Sequence, residues 1–172
     1  MKSSYLWLVA AFALLGTVAV AIGTSSAPEV PYPDGYRHWM HVCSSVIPAK
    51  PSSAAKQPSD QNAALHGLIF HVYANDSALE GYRTGHFPEG AVLIADWFFL
   101  DEKGGSLEPG TRKSINVMVR DQRYADTGGW GFEDFDRDSH TKRNVGPNAL
   151  KACYECHSQA KDHEFVFSKL KP

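Results

Sequence analysis

The chain has little sulfur: three cysteines and three methionines in 172 residues. Three cysteines cannot build the multi-bridge framework of a small secreted domain, and the odd number leaves one without a partner whenever the other two act together. Charge of one sign is not in excess either. Seventeen Lys and Arg stand against 19 Asp and Glu, a formal charge of -2, and no basic run supplies the field that a nucleic-acid backbone needs. Nucleic acid is excluded as a partner on that ground. No internal repeat is visible, which removes solenoids and propellers. What is present is ordinary globular material, 43% hydrophobic and 12% aromatic, of a length suited to one domain.

The first residues form the longest apolar run. After Lys2, the stretch from Tyr5 to Ile22 carries no charge and is dominated by Leu, Val and Ala, followed by small residues from Gly23 to Ala27. It reads as a signal peptide over residues 1–27, or as an uncleaved N-terminal anchor, since a run of about 18 residues sits at the lower edge of what spans a bilayer. Pro28 makes cleavage directly after Ala27 a poor choice and moves it towards Ala21 or Gly23. Both outcomes place residues 28–172 in a periplasmic or otherwise exported location, with membrane contact only if the segment stays.

Pro28, Pro31 and Pro33 make a stiff lead, and the domain begins near Tyr36. Arg37 to Ile47 has strand composition, and the Pro-, Ser- and Ala-rich stretch Pro48 to Asp60 reads as an exposed loop. Gly67 to Ala74 is a second strand, with Leu68, Phe70 and Val72 on one face and Ile69, His71 and Tyr73 on the other. Asn75 or Asp76 caps a short helix that Gly85 ends. From Ala91 to Leu100 both faces of the alternation are apolar, so both are expected to be covered, by protein or by a large flat ligand. Gly104-Gly105 and Pro109-Gly110 predict a loop before a fourth strand, Ser114 to Arg120. A fifth lies near Gly129 to Asp136, and the acidic stretch Glu133 to Asp138 reads as a solvated turn. A short helix follows over Asn148 to Cys156 behind Gly146-Pro147, and Phe165, Val166, Phe167 and Leu170 are apolar enough to fold back over it. The expected fold class is α+β, mostly antiparallel β, a single domain with a short C-terminal helix.

That helix carries the chemistry. Cys153-Tyr154-Glu155-Cys156-His157 has the C-x-x-C-H spacing of c-type haem attachment. The spacing lets two thiols reach the two vinyl groups on one porphyrin edge while the next residue offers an imidazole nitrogen to the iron. Cys153 and Cys156 are therefore the expected covalent haem attachments, and His157 the proximal iron ligand, for one haem c. Other readings of the same residues are a redox dithiol, a structural zinc site borrowing Cys43 and a distant His such as His163, or a strained Cys153–Cys156 disulfide. Cys43 itself reads as a small buried hydrophobe. Met40, Met118 or a histidine, His71 foremost, could supply a sixth iron ligand.

Common small cytochromes c carry this motif near the N-terminus of an all-helical chain. Here it follows a run of strands. Together with Tyr36-Arg37-x-Trp39, the turn Thr84 to Gly90, Trp130-x-Phe132 and the tail Ala160-Lys161 through Val166 to Lys169, the motif resembles the cytochrome P460 family, which includes the β-sheet cytochromes c′. The likeness runs from Tyr36 to Pro172. The resemblance implies a mostly antiparallel β domain with a haem at its C-terminal end, one His ligand and an open distal site. It also implies a homodimer. P460 enzymes oxidise hydroxylamine and carry a lysine cross-link to the porphyrin shortly after the F-P-D/E-G turn. The matching position after Phe87-Pro88-Glu89-Gly90 is Ala95, and no lysine lies between Gly90 and Leu100. This departure favours the cytochrome c′-beta branch, with Phe70, Ala95 and Trp97 as expected distal-pocket residues.

The expected function is an exported mono-haem cytochrome, five-coordinate at iron, binding NO or another small gas. One alternative is an oxidoreductase acting on hydroxylamine, NO or peroxide, which would need a distal proton carrier such as Asp96 or His71. Another is a six-coordinate electron-transfer cytochrome working with a redox partner protein.

Overall fold

The computed structural model describes residues 28–49 and 67–171. The expected signal or anchor segment and most of the loop after Pro48 lie outside the described residues. Among the described residues, five strands form one antiparallel sheet in the order β1-β2-β3-β4-β5: β1 Met40–Ile47, β2 Leu68–Ala74, β3 Val92–Lys103, β4 Ser106–Arg120 and β5 Trp130–Asp136. Each strand pairs with its neighbour in the chain. The fold is α+β, with a five-stranded antiparallel sheet and a short helical segment near the C-terminus.

The first helix, α1 (Asp76–Thr84), connects β2 to β3. It starts where the Asn75 side chain accepts the N–H of Ala78 at 2.9 Å and stops at Gly85, which takes the left-handed conformation with φ 79°. Gly81 on α1 faces the ring of Phe87, and any Cβ there would collide with it. That close approach seats the Phe87-Pro88-Glu89-Gly90 turn against the helix.

The expectations for β1 and β4 need correction. Tyr36–His38 is a 3-10 turn, so the strand starts only at Met40. At Gly104-Gly105 the chain makes a tight hairpin, and both glycines have positive φ. No loop follows: β4 already runs from Ser106 through Pro109-Gly110, where Leu100 pairs with Pro109 across an irregular register. A proline survives in the ladder at such irregularities because a bulge removes the need for its N–H.

The sheet has two covered faces. On one, Val42, Val72, Leu93, Trp130 and Phe132 join Phe87 and Val166 in a buried cluster. On the other, Tyr36, Ile94, Ile115, Val117 and Phe135 form a second. The apolar character of both faces of β3 is thus accounted for.

Candidate haem site

The register of β2 to β5 builds the floor of a cavity of about 480 Å³, within the range of roughly 300–1,000 Å³ usual for cofactor pockets. Leu93 pairs with Met118, and Met118 with Phe132, in one cross-strand row. Val72, Ala95 and Asn116 form the next row, and Phe70 and Trp97 a third. Phe70 and Trp97 rings lie 4.3 Å apart. All six residues of β2 and β3 that line the cavity are apolar.

One wall comes from the C-terminal helical segment, α2 (residues 150–163). It is continuous but irregular: a π-helical turn at Leu150–Tyr154, an α-helical turn at Glu155–His157 and a 3-10 stretch at Ser158–His163. Cys153 and His157 line the cavity, whereas Cys156 is exposed. The three cysteines are unpaired. Burial, reinforced by the nearby carboxylates of Asp134 and Glu133, pushes the Cys153 thiol up to about 11, so it is an uncharged thiol at neutral pH.

His157 shows its tautomer through its partner. Nδ1 lies 2.7 Å from the carbonyl oxygen of Phe165, and because a carbonyl can only accept, Nδ1 carries the proton and Nε2 the lone pair. Burial lowers the ring's proton affinity below its ordinary value and outweighs the Phe165 bond, which raises it. The ring is held between Phe132 at 5.0 Å and Phe167 at 5.1 Å, centroid to centroid. A neutral imidazole with one nitrogen anchored and the other free is the state a metal ligand needs.

A family model for cytochrome P460 matches residues 33–168. The chain belongs to the cytochrome P460 family. No curated protein matches it. The residues around the cavity fit the haem that a P460-family cytochrome holds: a floor that is apolar along β2 and β3, a half-buried thiol, a neutral imidazole, and Lys169 and Lys171 as the positively charged members of the lining, where haem carboxylates call for cations.

In this haem cytochrome Phe70, Ala95 and Trp97 share one face and line one cavity with Cys153 and His157. Asp96 and His71, expected as distal proton carriers, do not. They pair with each other across β2 and β3 on the other face, because alternate residues of a strand point to opposite sides and Asp96 lies between Ala95 and Trp97. Asp96 is fully buried there, accepting Tyr36 Oη at 2.6 Å and Arg112 Nε at 2.7 Å. His71 Nδ1 bonds Ser44 Oγ at 2.7 Å, and Ser44 in turn bonds His41 Nε2 at 2.8 Å. Met118 lines the cavity, whereas Met40 is 55% exposed.

Sequence reasoning missed three features. Cys43 lines the cavity, brought inward by the bulge between His41 and Cys43. Nothing in local sequence announces a bulge. Lys169 and Lys171 reach the site because the tail runs back along β1, with Lys171 donating its N–H to Val42 O at 3.3 Å. And Glu133 does not belong to a solvated turn: it is 3% exposed on β5, where it accepts Val145 N–H at 3.0 Å and pairs with Arg143 at 3.2 Å.

Proposed function

We propose that this P460-family cytochrome carries one haem bonded through Cys153 and Cys156, with His157 Nε2 on the iron and the second axial position open to NO or a similarly small gas. One observation carries the reading: a cavity whose anchored, neutral His157 faces a lining from β2 and β3 that is wholly apolar. The iron supplies the binding position for the gas. The chain supplies orientation and dryness. Phe165 O fixes the His157 ring, Phe132 and Phe167 clamp it, and Phe70, Val72, Ala95 and Trp97 exclude water. No carboxylate or imidazole of β2 or β3 faces the cavity, and the carboxylate in its lining, Glu133 of β5, is already held by the N–H groups of Val145 and Gly146 and by Arg143, which favours ligand binding over hydroxylamine or peroxide turnover. The absence of a lysine between Gly90 and Leu100 favours the c′-beta branch in the same way. An exported location belongs to this reading and is supported by the apolar segment after Lys2.

Absorption spectra of the reduced holo-protein, alone and with CO or NO, test it. A five-coordinate ferrous spectrum that changes with both gases is expected. A band strongly red-shifted towards the cross-linked P460 chromophore would overturn the branch placement. A ferrous spectrum indifferent to CO would instead support the six-coordinate electron-transfer reading, for which Met118 in the lining is the available thioether.

A further inference from the structure

The carbonyl that orients His157 belongs to a residue in an unfavourable conformation. Phe165 has φ 68° and the preceding Glu164 has φ 51°, two successive non-glycine residues in the left-handed region, which side chains with a Cβ avoid. Such a pair persists only where its surroundings hold it. Backbone bonds contribute: Glu164 N–H reaches Lys161 O at 3.0 Å and Phe165 N–H reaches Ala160 O at 2.8 Å. The longer-range restraint is the Glu164 side chain. Its Oε2 accepts the backbone N–H of Phe87 at 2.7 Å, and its Oε1 bonds His86 Nδ1 at 2.7 Å.

Phe87 is itself buried. Its ring packs edge-on against Tyr82 at 5.2 Å and Trp130 at 5.6 Å, and Gly81 gives it room. Glu164 therefore ties the end of α2 to a fixed point in the turn that follows α1. We infer that Glu164 is a positioning residue for His157: by anchoring to Phe87 and His86, it holds the Phe165 carbonyl under Nδ1. The consequence is chemical as well as geometric, because an imidazole donating strongly from Nδ1 is a better electron donor through Nε2. Loss of the anchor lets the two residues relax towards negative φ, swings the carbonyl away and weakens that donation. The inference rests on the reading of His157 as the iron ligand.

Resonance Raman spectra of the full-length ferrous holo-protein test it through the iron–histidine stretching band, with haem content measured beside it. E164A is expected to lower the band frequency and broaden it at unchanged haem content. E164Q keeps an acceptor for the Phe87 N–H and is expected to lie between E164A and the parent. An E164A band at the parent position and width overturns the inference while leaving the His157 reading intact. If E164A does not fold, E164D takes its place, because the shortened side chain loses its reach to both the Phe87 N–H and His86 Nδ1; a lowered band supports the inference, and a band at the parent position and width overturns it. A parent protein with no iron–histidine band overturns the His157 reading, and this inference with it, before any variant is made.

Discussion

Glu133 Oε1 accepts the backbone N–H of Val145 at 3.0 Å, from a side chain almost wholly withdrawn from solvent. The same carboxylate accepts the N–H of Gly146 and pairs with Arg143, which in turn bonds Val30 O at 2.7 Å. It fixes the chain immediately before α2, as Glu164 fixes it immediately after.

Removing that carboxylate is expected to destabilise the protein by about 3 kcal/mol in E133A, because buried N–H groups and a guanidinium lose their acceptor. E133Q, which keeps one carbonyl oxygen, should lose less. Urea unfolding of the purified holo-protein measures both, and an E133A midpoint equal to the parent's would refute the assignment.

Asp96 separates structural from functional burial. Its carboxylate gathers Tyr36, Arg37 and Arg112, and Arg112 extends the cluster to Asp138. D96A should destabilise by about 3–5 kcal/mol, the usual effect of breaking a buried ion pair from one side. Yet D96N, where folded, should bind CO and NO like the parent, since this cluster lies across the sheet from the cavity. A changed gas affinity in D96N would return Asp96 to the candidates for the site.

Thiol counting tests covalent attachment. Denatured holo-protein should show one reactive thiol, Cys43, where an unattached chain shows all three. In the folded state burial raises the Cys43 thiol above its ordinary value of 9.0. The reactive thiolate is then scarcer in the folded protein than in the unfolded chain at the same pH. Alkylation of Cys43 should be slow at neutral pH and accelerate only as pH rises beyond 9.0. The sign for stability follows: the protonated thiol's contribution is present below 9.0 and lost at higher pH. Equal alkylation rates in folded and unfolded protein at neutral pH would contradict this.

Ala95→Lys places an amine in the cavity lining. If Ala95 faces the open side of the iron, A95K should give a ferrous spectrum with a sixth ligand and slower CO binding. Parent-like spectra and CO kinetics would place the gas elsewhere.

Much of this was legible in the sequence. The C-x-x-C-H motif, the alternation that sets Phe70, Ala95 and Trp97 on one face, and the Asn75 and Gly85 helix boundaries all rest on local rules that the chain obeys. What escaped was non-local. Pro109-Gly110 reads as a loop until a bulge opposite Leu100 excuses the missing N–H. Glu133 and Asp138 lie close in sequence, but the first is buried because a later segment, Arg143 to Gly146, crosses over it. Asp96 differs from these: parity along β3, where it alternates with Ala95 and Trp97, is enough to turn it away from the cavity.

The strand order carries a consequence for how the molecule comes together. Every strand after the first pairs with the one synthesised just before it, so no strand waits for a later one to complete its inner edge. The cavity floor is complete once Phe132 has joined Met118. Synthesis runs from the N-terminus, so the sheet can take shape while Cys153 is still to emerge. The segment that must accept the cofactor is made last, against a surface already in register, and two glutamates then hold it there.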